Sequence, residues 1–321
     1  MARMQGKTTS DAYQYFAGID VSKAHLDLRV FGARRGQRFA NDATGIAALL
    51  ATFAAPHLVV FEPTGRYHLA LWRALAAAGH GAVPYNPYLA RHLATGMGQL
   101  AKTDQIDAMV LSEIAARHKP TPKPAPSDFE LEIKELYAAY RSAIKHRAMI
   151  RTQASASFDD QVKRHLAAQE AFFTIEIKAL KVALHILFKA NPGTRRIREI
   201  LISIPGFSEG AAAAILALLP EIGTATRGEI AALTGTAPMT QESGQWRGRA
   251  RTKGGRRSLR TVLHMPAVVA MSKNPALKIF ADRLRARGKH TYAVIAATLR
   301  KLLILANTLV AENRLWTDVK P

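Results

Sequence analysis

Apolar and polar residues alternate in short runs along the first hundred residues, and this pattern predicts a sheet of several strands. Residues 15–19 and 24–31 alternate around a turn at Ser22 and Lys23, as the two strands of a β-hairpin do. Further strands are predicted at 37–41, 58–61 and 81–85, with helices at 44–53, 69–78 and 105–117. Strands that lead into helices at short intervals predict an α/β domain with a central sheet.

Composition sets the limits of this first domain. Residues 1–14 are polar and are predicted to be disordered, so the domain is assigned to residues 15–117. Residues 118–127 contain Pro120, Pro122, Pro124 and Pro126, a density of proline that is typical of a stiff, extended linker. This linker marks the first domain boundary.

Two helical stretches follow the linker, and apolar residues recur in them with a four-three spacing. The first series is Phe129, Ile133, Leu136, Tyr140, Ala143 and Ile150, and the second is Phe173, Ile177, Leu180, Leu184 and Leu187. Such spacing predicts a coiled coil or a helical hairpin over residues 128–193, and the pattern leaves open whether the packing partner is the other helix or a second subunit. The sequence Asn191-Pro192-Gly193 is predicted to end the second helix.

Residues 194–321 are predicted to form a mainly helical third domain. Ile204-Pro205-Gly206 precedes a small-residue helix at 211–219, which resembles half of a helix-hairpin-helix. Residues 240–257 are predicted to form a polar loop, and helices at 258–271 and 292–311 complete the domain. A chain of 321 residues divided in this way is long enough for two or three domains.

Charge changes the picture, because the formal net charge is +21 and the pI is about 10.5. Residues 241–321 alone contain 17 Lys or Arg against four acids, which predicts a nucleic-acid surface there. A membrane is the weaker alternative, since a span needs about 20 apolar residues and the best stretch, 292–310, is interrupted by Arg300 and Lys301. The chain has no cysteine, which excludes disulfides and zinc-thiolate sites and favours a reducing, cytoplasmic setting.

Four carboxylates of the first domain are the strongest candidates for chemistry. Asp20 and Glu62 come at the ends of predicted strands, and Asp104 and Asp107 are three residues apart at the start of a predicted helix. Taken singly, these are ordinary turn, strand-end or helix-cap residues. Taken together in a basic α/β protein, they predict a Mg²⁺ site for phosphodiester cleavage, because converging carboxylates repel one another unless a cation lies between them.

A serine-containing loop is the second candidate. Ser243 lies beside Gly244 and is followed by guanidinium groups that match phosphate bidentately. The predicted nucleic-acid contacts are Arg247, Arg249, Arg251, Lys253, Arg256 and Arg257. Spacing alone favours a flexible basic loop that only touches DNA, because no histidine lies nearby as a base. A nucleophilic Ser243 would need activation by the metal site or by a carboxylate from another domain or subunit.

These residues together resemble a known family. The motifs are Gly18-Ile19-Asp20, Glu62-Pro63-Thr64-Gly65, Asn86-Pro87, Lys102-Thr103-Asp104-x-x-Asp107, Ile204-Pro205-Gly206, and Glu242-Ser243-Gly244 followed by Arg247-Gly248 and Lys253-Gly254. Their order over roughly residues 15–310 is similar to that of the DEDD transposases of bacterial insertion sequences, which are bridge-RNA-guided recombinases. The sequence departs from the family at Phe207-Ser208-Glu209-Gly210 and at Gly235-Thr236, and these departures bear on the hairpin's DNA contact and leave the acidic tetrad unaffected.

The resemblance implies a RuvC-like first domain with the ribonuclease H fold, in which Asp20, Glu62, Asp104 and Asp107 bind Mg²⁺. It also implies a coiled-coil connector that mediates homodimers and homotetramers, and a helical transposase domain whose Ser243 becomes linked to a 5′ phosphate. The implied partners are donor DNA, target DNA and a non-coding bridge RNA, with no membrane, in the bacterial cytoplasm at the nucleoid.

Two alternative functions stay open at this stage. One is a RuvC-type Holliday-junction endonuclease, in which water attacks the phosphate and Ser243 is only a DNA contact. The other is a non-catalytic nucleic-acid-binding protein whose acidic site is inactive. A covalent protein–DNA adduct distinguishes the recombinase from the nuclease, and magnesium-dependent cleavage distinguishes both from the binding protein.

Overall fold

The chain divides into two compact units, Met1–Pro126 and Ser127–Pro321, in a computed structural model that describes residues 12–99, 101, 103–240, 242–244, 246–248 and 251–317. The prediction of a disordered N-terminus falls mainly on residues 1–11, which lie outside the described residues. The further division of the second unit into a connector and a transposase domain stays a prediction.

A five-stranded mixed sheet forms the centre of the first unit. Its strands are β1 (Tyr15–Val21), β2 (His25–Val30), β3 (Gln37–Ala40), β4 (His57–Phe61) and β5 (Gly81–Pro84), in the order β3-β2-β1-β4-β5. The hairpin of β1 and β2 extends antiparallel into β3, whereas β4 and β5 run parallel to β1. The predicted α/β class is confirmed for this unit.

Helices cover both faces of the sheet. The helices are α1 (Ala43–Ala51), α2 (Leu69–Ala77), α3 (Pro87–Gly96) and α4 (Asp104–His118). Alternate residues of β4 separate the two cores, because Val59 and Phe61 pack with α1 and α2 while Leu58 and Val60 pack with α3 and α4. Sequence analysis missed α3, since Asn86-Pro87 was taken only as the end of a strand. The Asn86 side chain accepts a hydrogen bond from the Tyr88 amide and caps this helix.

The proline-rich segment lies on the first unit. The Lys123 amide donates to the Ala82 carbonyl at 2.9 Å, and the Trp72 indole donates to the Lys123 carbonyl at 3.1 Å. Ala82 belongs to the edge strand β5, so this part of the segment covers backbone groups that the edge of a sheet otherwise exposes.

The second unit begins with two long helices, α5 (Asp128–Ala156) and α6 (Asp160–Ala190), that pack against each other. An ion pair joins Arg151 to Glu170, and the His146 ring contacts that of Phe173, so the two helices run antiparallel from a short loop at 157–159. Of the two arrangements that the four-three spacing left open, the structure has the helical hairpin. A coiled coil between subunits stays a prediction.

Six further helices and four short strands follow in the part of the second unit that the structure describes. The helices are α7 (Pro192–Ser203), α8 (Glu209–Leu218), α9 (Arg227–Leu233), α10 (Arg257–Lys273), α11 (Pro275–Ala286) and α12 (Thr291–Ala311). Helix α12 is long and apolar enough to cross a membrane by length and composition alone, but half of that stretch is buried inside this unit. Leu302, Leu303 and Ala306 of α12 are fully buried in the core, as expected of a central helix in a packed domain.

The region predicted as a polar loop contains three short strands and is preceded by a fourth, which corrects the loop assignment. The strands are β6 (Pro238–Met239), β7 (Glu242–Ser243), β8 (Trp246–Arg247) and β9 (Arg251–Thr252). Strand β6 pairs with β9 and β7 pairs with β8, both antiparallel. Each strand has two residues, too few for the alternation that identifies a strand in a sequence.

Candidate active site: an acidic corner and a serine hairpin

Gly18 allows helix α4 to approach the sheet closely. A Cβ atom at this position would collide with the backbone of Ala108 and Ser112, both in α4. Asp20 lies two residues after Gly18 on β1 and therefore faces the same side of the sheet. Because α4 begins at Asp104, this close packing brings the first turn of the helix over the end of β1.

Strand alternation places three acids on the face that α4 covers. Asp27 lies directly opposite Asp20 in the β1–β2 pair, and it is buried. Glu62 follows β4 and continues the alternation of Leu58 and Val60, whose side chains pack with α4. We call Asp20, Glu62, Asp104 and Asp107, the four acids that sequence analysis had selected, the acidic corner.

The electrostatics of Asp20 reflect this crowding. The pKa of Asp20 is raised to about 6, mainly by burial and in addition by the negative charges of Glu62, Asp107 and Asp104. A hydrogen bond from the Val21 backbone opposes the shift without cancelling it. Asp20 is thus the member of the acidic corner that interacts with all three others.

Helix α4 begins in a way that suits two acids in its first turn. Thr103 caps the helix by accepting a hydrogen bond from the Ile106 amide at 3.3 Å. Asp104 and Asp107 then lie at the positive end of the helix dipole, which favours carboxylates. Asp107 also lines a cavity of about 180 Å³ together with Glu62 and Arg91.

Arg38 forms an ion pair with Asp104, one of the four residues of the acidic corner. Its guanidinium donates to both carboxylate oxygens of Asp27, at 2.9 and 3.0 Å, and to Asp104 at 2.8 Å. Asp27 and Arg38 face each other across the β2–β3 pair. Sequence analysis missed both residues. An acid between Leu26 and Leu28 in a strand was the available signal, but the register that pairs Asp27 with Asp20 and Arg38 comes only from the fold.

The donor chemistry of the acidic corner fits a divalent ion, because carboxylate oxygens are the ligands that Mg²⁺ prefers and a cation relieves the crowding around Asp20. Within the part of the chain that the structure describes, however, no three acidic or histidine side chains lie close enough together to hold an ion. Asp104 is paired with Arg38 instead. Coordination by all four acids therefore requires these side chains to move closer together than they are in this structure.

Ser243 is exposed and lies on a β-hairpin of the second unit, formed by β7 and β8, that we call the serine hairpin. It pairs with Trp246 across β7 and β8, and the two-residue turn begins with Gly244 at a φ of +57°. Glycine adopts this left-handed conformation without strain, which explains why it follows the serine. The hairpin presents Ser243 to solvent, where an incoming phosphate can reach it.

The predicted nucleic-acid contacts differ in their surroundings. Arg251, Lys253 and Arg257 are exposed. Arg256 donates to both oxygens of Glu221, at 2.6 and 2.5 Å, and to the Leu218 carbonyl at 2.8 Å. Arg249 and the side chain of Arg247 lie outside the described residues. The bonds of Arg256 give it a structural role, and its role in nucleic-acid binding stays a prediction.

Two family models match the chain. Residues 17–160 match the DEDD transposase model of IS110, described as a transposase, and residues 198–282 match the transposase IS116/IS110/IS902 family. The first match contains the acidic corner, and the second contains the serine hairpin.

Several curated proteins are also similar. The pilin gene-inverting protein of Moraxella bovis is 25% identical over 93% of this chain and 96% of that protein, and the protein of the same name from Moraxella lacunata is equally similar. A 43.6 kDa protein of insertion element IS110 from Streptomyces coelicolor is 32% identical over 132 residues, which cover 40% of this chain and 31% of that protein. The motifs, the two family matches and these relatives agree, and the chain belongs to the DEDD transposase family of bacterial insertion sequences.

Proposed function

We propose that this transposase is a serine recombinase that uses both candidate sites in one reaction. Asp20, Glu62, Asp104 and Asp107 would hold Mg²⁺, and Ser243 would attack the scissile phosphate. Domains of the DEDD family use divalent metal ions, and the acidic corner supplies the oxygen ligands that such an ion needs. The most direct support is the position of Asp20, because Glu62, Asp107 and Asp104 all lie near enough for their charges to add to burial in raising its pKa.

The chemistry is a phosphoryl transfer to a side chain. The Ser243 hydroxyl loses its proton and its oxygen forms a bond to phosphorus while the bond from phosphorus to the 3′ oxygen breaks. The departing 3′ oxygen takes up a proton, which balances the one that the serine loses. The product is a 5′-phosphoserine link, which conserves the energy of the phosphodiester. A 3′ hydroxyl from another strand then attacks this link and releases the serine, so strand exchange needs no ATP. A divalent ion supplies charge neutralisation at the phosphate.

Guidance and assembly follow from the family resemblance. We propose that a non-coding bridge RNA pairs with donor and target DNA, and that homodimers formed through α5 and α6 assemble into tetramers. In this arrangement the acidic corner of one subunit meets Ser243 of another, which would supply the activation that the serine hairpin itself does not contain. Two relatives bear the name pilin gene-inverting protein, and inversion of a gene requires DNA strand exchange.

The test uses strand exchange on DNA that carries the ends of the element, with the adjacent non-coding RNA supplied. Ser243→Ala and Asp104→Ala are each expected to abolish exchange while RNA binding stays nearly intact. Ser272→Ala is the control, because this serine is also exposed and lies on α10.

A covalent protein–DNA adduct, trapped by denaturing the reaction, is expected with the wild-type chain and not with Ser243→Ala. Strand cleavage without any adduct would favour the alternative in which water attacks. Full recombination by either variant would refute the role assigned to that residue.

A further inference from the structure

A large cavity in the second unit adjoins the strands that carry the serine hairpin. Its volume is about 620 Å³, which is within the range of small-molecule sites. One wall is formed by the pair of β6 and β9, where Met239 faces Arg251. The chain leaves β6, passes through Ser243 and returns in β9, so the cavity lies at the base of the serine hairpin.

The floor of this cavity is apolar and recessed. Ala293, Ala296 and Ala297 line it from helix α12, and their small side chains leave the space that larger residues would fill. Phe280 of α11 and Ile304 of α12 extend the apolar surface. A flat apolar molecule can bind to such a floor through van der Waals contacts, without hydrogen bonds.

The rim is cationic. Arg251, Arg300 and Lys301 line the cavity, and no acidic side chain lines it among the residues that the structure describes. The Lys301 ammonium lies 4.4 Å from the centre of the Phe280 ring, a cation–π contact that holds the charge beside the apolar floor. An occupant with an apolar body and a negative charge matches this arrangement, whereas an apolar protein side chain supplies no negative charge to pair with the three cations.

An exposed aromatic ring stands at the opening. The Tyr292 side chain is 71% exposed although it lines the cavity. The His290 ring stacks on it, with centroids 5.7 Å apart and planes inclined by 22°. An aromatic ring supported in this way offers a surface on which a base can stack.

We propose that this cavity, lined by Tyr292, Phe280 and the rim cations, binds an unpaired nucleobase of the DNA strand next to the phosphodiester that is cut. The base rests on the alanine floor, and its phosphate contacts Arg251 or Arg300. The inference depends on the proposed function only for the identity of the strand, because the serine hairpin leads directly into the wall of the cavity. Holding one base outside the helix opens the duplex where strands are exchanged.

The experiment uses the full chain as Ser243→Ala, with its RNA and with duplexes that carry 2-aminopurine at successive positions around the cut. Fluorescence is expected to change sharply at one position, where the base has left the stack of its neighbours. Replacing the natural base at that position by an abasic site is expected to weaken binding about tenfold, the order expected for one stacked base. The phosphates are unchanged in this substrate, so the loss reports the base alone.

Two variants test the site from opposite directions. Tyr292→Ala removes the stacking ring, and Ala297→Leu fills the cavity without removing a contact. We call the loss of affinity caused by the abasic site the abasic penalty. In each variant this penalty is expected to fall from about tenfold to nearly none, because Tyr292→Ala loses the stacking contact and Ala297→Leu excludes the base. Tyr88→Ala is the matched control, because Tyr88 is 65% exposed and belongs to the first unit.

The outcomes separate this inference from the proposed function. The nucleobase site is overturned if the abasic penalty is equal in the Ser243→Ala parent and in both variants made in it, or if no position shows altered fluorescence. The nucleobase site is also overturned if Ala297→Leu changes the number of subunits in the assembly and leaves DNA binding unchanged, because a protein surface then occupies the cavity. A base effect in Ser243→Ala, combined with a wild-type chain that cleaves DNA without forming a covalent adduct, keeps the nucleobase site and refutes the serine chemistry instead.

Discussion

The two units handle charge in opposite ways. In the first unit, close packing of α4 over Gly18 gathers carboxylates around Asp20 at a cost in electrostatic repulsion. In the second unit, cations are spread over helices and short strands, and Arg256 is paired with Glu221 while Arg257 is exposed. Like charges stay together only where a rigid scaffold holds them, whereas a surface that binds an extended polyanion tolerates wide spacing.

The largest expected effect is on the packing that assembles the acidic corner. Gly18→Ala adds a methyl group against the backbone of α4, and we expect a loss of about 3 kcal/mol or more in the free energy of unfolding, because backbone cannot move aside as a flexible side chain can. Urea denaturation followed by circular dichroism measures it.

Gly96→Ala is the control for this experiment. Gly96 ends α3 in the same unit, and an added Cβ would meet nothing within 4 Å. Alanine there is expected to leave stability unchanged or to raise it by up to about 1 kcal/mol. Equal stability of Gly18→Ala and the wild type would show that close approach of α4 does not depend on glycine.

The next largest effect is expected at two neighbouring arginines of the second unit, Arg256, which is paired with an acid, and Arg257, which is exposed. Arg256→Gln breaks the bidentate pair with Glu221 and the bond to the Leu218 carbonyl, and we expect a loss of about 2 kcal/mol in stability. Arg257→Gln is expected to change stability by less than about 0.5 kcal/mol and to weaken DNA binding, with a reduced dependence on salt.

Urea denaturation and salt titration of DNA binding measure the two effects separately. If Arg256→Gln keeps full stability and loses DNA affinity, then Arg256 contacts nucleic acid and its bonds to Glu221 and Leu218 are not important for stability. Such a result would also remove the distinction between paired and free cations in the second unit.

The smallest expected effect concerns the repulsion within the acidic corner. The pKa of Asp20 in the folded chain, about 6, lies above its ordinary value of 3.8, so the folded state binds the proton more tightly than the unfolded state. The metal-free protein therefore loses stability as pH rises from about 4 through 6. Asp20→Asn avoids this loss and is expected to be about 1 kcal/mol more stable at pH 7.5, after allowance for solvent screening.

Denaturation of both proteins at pH 4 and pH 7.5, without and with Mg²⁺, measures this difference. The two curves are expected to converge at pH 4, and Mg²⁺ is expected to stabilise the wild type more than Asp20→Asn. An Asn variant that is less stable at pH 7.5 would show that the Asp20 charge is compensated within the fold.

Much of the fold could be predicted from local pattern, because strands β1 to β5 and the long helices alternate or repeat over enough residues to be recognised. Helix α3 and the four two-residue strands were missed, since a capping Asn-Pro also ends strands and two residues carry no period. Residues of the acidic corner were recognisable one by one as acids at strand ends and at a helix start. Asp27 and Arg38 were not, because only the register of β1, β2 and β3 pairs them.

The sequence by itself determined the sheet-forming segments, the basic charge and the order of motifs that identifies the family, because these depend on residue type and spacing alone. Only the tertiary structure decided that Asp104 is paired with Arg38, that Arg256 is paired with Glu221, and that the cavity beside Tyr292 lies at the base of the serine hairpin. Each of these depends on residues far apart in the chain, and which distant side chains meet is set by packing and strand register.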